Sequence, residues 1–261
     1  MKILLSSGSL YTLALEKVFR IASEAGYDGM EVIISETIGG DEGYSILCDL
    51  KEITPIYVLH SPFHVIPGWG DCTTALLKTI ELAERLSVPM VNFHPPKWLD
   101  LEISFWRWMY SVRDFQCELG DGKIAIAVEN MPYREGMLRF NPYILRRTED
   151  MVRFIKEKNL FLTFDCAHMG TAKVDFEGNF LRLYETRRVK NIHFSDYQNL
   201  REHLFPGRGI LPLAGLLKCL KESRYDEMIT LEIIPQELPG DEEAAKKVLR
   251  EKVFYIRREL I

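Results

Sequence analysis

The sequence predicts an α/β fold, a (β/α)8 TIM barrel forming a single domain over residues 1–261. Three observations carry this. Short apolar runs alternate with longer amphipathic stretches eight times along the chain. No Pro-, Gly- or Ser-rich linker divides the chain, and 47% of its 261 residues are hydrophobic, which suits one barrel-sized core. The first apolar run is followed by SSGSLYT, where an open nucleotide-binding sheet would carry GxGxxG or a P-loop.

Taken in order, the strands are Ile3 to Leu5, Gly29 to Ile34, Ile56 to His60, Pro89 to His94, Ile124 to Glu129, Leu160 to Asp165, Val189 to His193 and Met228 to Ile233. Each is a run of apolar or β-branched residues of strand length, bounded by polar or turn residues. The helical stretches include Leu13 to Ala25, Cys72 to Leu86, Ser104 to Leu119, Thr148 to Lys158, Leu213 to Glu222 and Asp241 to Arg258, where apolar positions recur at helical spacing. Trp106 and Trp108 fall on such a face and are assigned to packing, whereas Trp69, Trp98 and Tyr133 fall in strand-to-helix loops and are expected to form an apolar wall or lid.

Composition narrows the setting. The apolar run in MKILLSSGSLYT is too short for a signal-peptide core, and no segment approaches the ~20 apolar residues of a membrane span. The five cysteines, Cys48, Cys72, Cys117, Cys166 and Cys219, are scattered without a CxxC pair, as in a reduced protein. A soluble, cytoplasmic protein is expected, with no membrane partner. Formal net charge is −5, and the densest basic groupings are only Arg187-Arg188 and Arg257-Arg258, so no nucleic-acid partner is expected. A homo-oligomer remains open.

Four successive apolar runs stop on a carboxylate or an imidazole: Glu129 in AIAVEN, Asp165 in LFLTFD, His193 in VKNIHFSD and Glu232 in MITLEI. A parallel barrel places its chemistry at these strand ends, and three carboxylates with one imidazole suit a divalent ion: manganese first, with cobalt, magnesium or zinc as alternatives. All six histidines also lie at or just beyond strand ends: His60, His64, His94, His168, His193 and His203. Their clustering on one face reads as a site. His60, His94, His168 and His203 are taken as substrate-binding, although for His203, as for His64, a structural role is an equal alternative. Asp165 and His168 are three residues apart and can point into one mouth, with Cys166 between them packed away. Pro132 stops the chain after Glu129 from continuing as a strand, which leaves Glu135 in a loop over the mouth, as a substrate ligand or a solvated carboxylate. In Pro206-Gly207-Arg208-Gly209 the glycines would let backbone approach a ligand and Arg208 could reach an anion; a plain turn is the alternative.

From GYDGMEV through NFHPP, VEN, DxxH, IHFSD and PGRG to the final LEI, the chain resembles the xylose isomerase-like TIM barrel superfamily, which includes ketose 3-epimerases, other sugar isomerases and endonuclease IV. The epimerase resemblance implies one divalent metal on Glu129, Asp165, His193 and Glu232. It implies that Glu129 and Glu232 also act as catalytic acid and base on opposite faces of a sugar carbon, passing through an enediolate, and that Glu135 and His168 contact the sugar. The family arginine ahead of the PGxG turn is replaced by His203. The endonuclease IV resemblance implies the alternative, a metal-dependent phosphodiesterase acting on abasic DNA with three metals on His60, His94, Glu129, Asp165, His168, His193, His203 and Glu232. One ligand carboxylate of that set is missing, because Arg201 stands two residues before His203. A cation there would repel a third metal.

Overall fold

The computed structural model describes residues 1–39, 42–98, 102–134 and 140–260. Eight parallel strands close into a barrel: β1 (Lys2–Ser6), β2 (Gly29–Ile33), β3 (Ile56–His60), β4 (Met90–Phe93), β5 (Ala125–Glu129), β6 (Phe161–Asp165), β7 (Val189–Phe194) and, after a two-stranded excursion, β10 (Met228–Leu231). Closure is made by β1 against β10, with Lys2 opposite Met228 and Leu5 opposite Leu231.

Successive residues of a strand face opposite ways, so each strand sends every second side chain into the barrel. At the bottom of the barrel Leu4, Val58, Met90 and Ala127 pack as a separate apolar cluster. Two residues further along the same inward phase come His60, Asn92 and Glu129. The pairs Thr163/Asp165, Asn191/His193 and Thr230/Glu232 repeat that step. The interior therefore changes from apolar at the bottom to polar at the mouth. Outward residues such as Ile3, Leu5, Val32 and Val91 join the main core under the helices. Helix α1 (Leu15–Ala25) shows how that layer is built, turning Val18, Phe19, Ile21 and Ala22 inward and ending on Gly26 in the left-handed conformation (φ 90°).

Two features differ from the sequence expectation. The stretch Ser104 to Leu119 is two helices, α2 (Ile103–Ser111) and α3 (Phe115–Glu118), because Asp114 accepts from Cys117 N (2.9 Å) while Glu118 accepts from Arg113 N (2.8 Å) and Asp114 N (3.0 Å). This reciprocal cap starts a new helix. After β7 the chain also adds a small antiparallel hairpin, β8 (Asp196–Gln198) and β9 (Arg201–Leu204), turning through Asn199 and Leu200, both at positive φ. The hairpin carries His203 towards the mouth of the barrel. No helix among the described residues is long and apolar enough to cross a membrane.

Candidate metal centre

The floor of the mouth is built on Glu129. Its Oε2 accepts from Asn92 Nδ2 at 2.8 Å and lies 3.3 Å from His60 Nε2 and 3.6 Å from His94 Nε2. Its Oε1 lies 3.1 Å from His168 Nδ1 and 3.5 Å from His193 Nδ1. Asp165 caps the short helix Cys166–Thr171 by accepting from His168 N at 2.7 Å through Oδ1. That leaves Oδ2 facing the floor, 3.3 Å from His193 Nδ1. Glu232, one residue past β10, brings Oε2 to 2.7 Å from the same nitrogen, and its Oε1 accepts from Ser6 Oγ at 3.2 Å.

Glu129, Asp165, His193 and Glu232 thus each offer a ligand atom, all within 4.8 Å of one another. Asp165 Oδ2 and His193 Nδ1 are buried without a hydrogen-bond partner, even though Nδ1 is close to three carboxylates. A buried carboxylate oxygen left in the state of Asp165 Oδ2 is costly unless a cation satisfies it, so the donor set fits a divalent ion. Glu31 on β2, fully buried, orients the imidazole: its two oxygens lie 3.1 and 3.0 Å from His193 Nε2 and it accepts from Asn191 Nδ2 at 2.8 Å. Nε2 is therefore the nitrogen that donates to Glu31, and Nδ1 is the one that faces the floor, where it can bind an ion only after giving up its own proton. Sequence reasoning missed Glu31. Its signal was a charge in the middle of the apolar run GMEVI, where either face of a central strand is buried.

Two further groups flank this tetrad. His60, His94 and Glu129 form one, and Asp165, His168 and His203 the other, again with ligand atoms within 4.8 Å. Glu202 Oε2 stands 3.8 Å from His168 Nε2. Burial works against charge on His168, but Asp165, Glu129 and Glu202 outweigh it and raise the imidazole to about 10. His193 is likewise raised well above its ordinary value by Glu232, Glu31 and Glu129 against burial. Burial dominates at His94, lowering it to about 3, with His60 and His168 adding to the effect against Glu129. Glu129, whose burial would raise it, is held well below the usual carboxylate range by His193, His168 and His60.

Several expectations change. Trp69, Trp98 and Tyr133 do not wall the mouth: Trp69 is buried with Nε1 on Gly39 O (2.7 Å), Trp98 bonds Asn141 O (3.1 Å) and Tyr133 bonds Arg146 O (3.2 Å). The apolar wall comes instead from Leu10, Ile38, Phe63, Ile233 and Ile234. Arg201 does not stand among the imidazoles, since its guanidinium reaches Glu237 at 3.2 Å, and Arg208 meets the same carboxylate at 3.0 Å. The PGRG turn serves an internal ligand, because Asp196 accepts from the backbone N of Gly207 (3.0 Å), Gly209 (2.9 Å) and Leu211 (3.0 Å). A Cβ on Gly209 would fall 2.3 Å from Asp196 Oδ1. Cys166 is buried in the main core, and Trp106 stacks on Phe154 at 5.3 Å, both as packing residues. Glu135 lies outside the described residues.

Residues 19–252 match the model of the xylose isomerase-like TIM barrel family. The chain belongs to that family. Among relatives of this xylose isomerase-like barrel, an uncharacterised protein of Methanocaldococcus jannaschii is 33% identical over 238 residues, covering 85% of this chain and 78% of the relative. A D-tagatose 3-epimerase-like protein superposes with a TM-score of 0.73 at 22% identity, covering all of both chains. The IOLI protein, solved with a zinc atom, superposes with a TM-score of 0.75 at 17% identity, covering 100% of this chain and 99% of that one. At these identities the two structures establish the shared fold.

Proposed function

We propose that this chain is a divalent-metal-dependent sugar epimerase or isomerase, with the ion on Glu129, Asp165, His193 and Glu232 and with Glu129 and Glu232 as the proton carriers. One observation carries the reading. Two glutamates from the separate strand ends of β5 and β10 approach the same His193 nitrogen, at 3.5 and 2.7 Å, and both line one cavity of about 670 Å³. A divalent ion at this site would polarise a carbonyl and its neighbouring hydroxyl oxygen, making the intervening C–H acidic enough for a carboxylate. Manganese is the first choice, with cobalt, magnesium and zinc next.

The residues then divide the work. One glutamate takes the proton from the carbon beside the carbonyl and the other, protonated, returns one from the second face, which inverts that carbon. Ser6 and Asn92 hold the two carboxylates in place by donating to Glu232 and Glu129. His168, cationic before the site is loaded, is placed to donate to a substrate oxygen, with His60, His94 and His203 around the same mouth. Transfer on a single face would give an aldose–ketose isomer instead.

The second reading, a metal-dependent phosphodiesterase acting on abasic DNA, is favoured by the two flanking His-rich groups, which offer room for further ions. It is opposed by the cavity, where no Lys or Arg is found among the described lining residues, and by Arg201 in place of a ligand carboxylate. The deciding experiment incubates manganese-loaded protein in D2O with a panel of ketoses and, separately, with abasic DNA. Deuterium at a ketose carbon without DNA cleavage is the expected result. DNA cleavage without exchange overturns it.

A further inference from the structure

The cavity above the floor has two unlike ends. One end carries the polar set: His60, His94, Glu129, His168, His203 and Glu232. The other runs outward over β1, β2 and β10 and is walled by Leu10, Val18, Ile33, Ile38, Ile233 and Ile234. Phe63 stands at the junction, stacked on His94 with ring centroids 5.5 Å apart and edge-on to His60 at 6.1 Å.

Few polar groups stand on the outer walls: Ser7, Ser35 and Thr37, with the exposed Tyr11 and His64. Ser7 Oγ accepts from Ile33 N at 2.9 Å, and Ser35 and Thr37 bond each other at 3.2 Å. Among the described residues, neither a carboxylate nor a Lys or Arg lines this outer arm. A phosphate would enter it without a Lys or Arg as counter-charge, and a chain of hydroxyls would exchange water for few partners on mainly apolar walls, each loss costing free energy. An alkyl or aryl group would gain from the same walls. The volume of about 670 Å³ is within the range of pockets that enclose drug-sized ligands, well beyond a reacting unit of two or three carbons.

We propose that the substrate is an α-hydroxycarbonyl compound, a deoxygenated or alkyl- or aryl-substituted sugar, whose non-reacting end is uncharged and apolar and fills this outer arm. The inference rests on the reading of the floor as a metal centre for α-hydroxycarbonyl substrates.

The probes are hydroxamates, which present two chelating oxygens to a metal, bound to manganese-loaded protein and measured by calorimetry. Acetohydroxamate supplies the head alone, hexanohydroxamate an apolar arm, threonohydroxamate a polyol arm and phosphoglycolohydroxamate a phosphate arm. The apolar arm is expected to tighten binding about 10- to 100-fold over acetohydroxamate, and the other two to add nothing. Phe63 is 48% exposed, so Phe63→Ser leaves the core intact and is expected to remove several-fold of the apolar gain. Tighter binding of the polyol or phosphate arm, or an apolar gain untouched in Phe63→Ser, overturns the proposal. Deuterium exchange into 1-hydroxy-2-octanone separates the two claims. Exchange with ketohexoses at equal or higher efficiency sinks the apolar arm and leaves the enzyme reading standing. An apolar gain in binding with no exchange into any hydroxyketone supports the arm and sinks the proton-transfer reading.

Discussion

The polar floor of the mouth and the outer arm over β1, β2 and β10 are built on the same kind of strand end and do opposite things. On the first side polar groups are crowded and shared: Glu129 lies within 3.6 Å of Asn92 and four imidazoles, and His193 meets four carboxylates. On the second side Leu10, Ile33 and Ile38 line the cavity with hydroxyls that bond backbone or one another. Removing one member of the crowded side strands its partners' charges in a dry environment, whereas trimming the apolar side forfeits only contact area. The floor should therefore respond steeply and collectively to substitution, and the outer arm gradually.

The steepest response is expected at the two glutamates. Glu129→Gln and Glu232→Gln should each lower turnover at saturating metal by about 10²- to 10⁴-fold, the usual worth of a positioned acid or base. They should differ in metal retention. Glu129 belongs to two of the possible ligand groups and touches five side chains, so its loss should empty the site more readily than loss of Glu232, whose other bond is to Ser6. Metal content by elemental analysis beside turnover checks this. If either variant regains full turnover in excess metal, that glutamate carries no proton.

Glu31 sharpens the contrast, because it contributes to the floor without touching the cavity. Glu31→Gln keeps the shape but weakens the hold on His193 Nε2, and metal affinity should fall about 10- to 100-fold while turnover returns in excess metal. Titration against a chelator of known affinity reads the change. An unaltered affinity would mean that the strand alone sets the imidazole's orientation.

A third, smaller effect concerns pH. His168, raised to about 10, and His193, also raised, hold protons at neutral pH before loading, whereas His94, lowered to about 3, is already neutral. A metal ion must displace protons from raised groups only. Uptake should release about one proton per ion, and affinity should climb as pH rises from 6 to 8. Calorimetry in buffers of different ionisation enthalpy measures the released protons. An affinity independent of pH would show that the raised imidazoles keep their protons in the loaded protein.

The crowded side was largely legible in the sequence because a strand end on a parallel barrel is both a sequence position and a place. AIAVEN, LFLTFD and MITLEI stop on their carboxylates, and the two-residue step from a buried residue to the mouth needs no tertiary knowledge. The remainder depends on contacts that no local window contains. Glu31 meets His193 across 162 residues of chain, and the apolar arm gathers Leu10, Ile38, Phe63 and Ile234 from four separate loops. The aromatics expected there are drawn elsewhere by indole and phenol groups that need backbone acceptors. Glu237, which holds Arg201 and Arg208, is 36 and 29 residues away in sequence, in a short 3-10 turn after β10, so no local window shows where either cation goes.

Arg201 yields the smallest expected effect and the cleanest discrimination between one ion and three. A cation at this position can discourage a third ion by repulsion or simply by not being a ligand. The structure separates these: the guanidinium is more than half exposed and bound to Glu237, so repulsion at His168 and His203 is screened and the missing carboxylate is what matters. Arg201→Asp turns a short acidic side chain towards Glu237, whose remaining partners are Arg208 and the Phe205 amide at 3.2 Å. The cost in stability should be on the order of 1–3 kcal/mol, because Glu237 is buried but keeps Arg208, and visible as a loss in thermal midpoint. Because Arg201 projects away from the imidazoles, the new aspartate should not complete a third ligand set. The metal count should remain at one ion per chain and abasic DNA should remain intact. A rise to three ions with DNA cleavage would mean that the hairpin β8–β9 can rotate its residues into the mouth, and it would move the reading of the whole floor to phosphodiester chemistry.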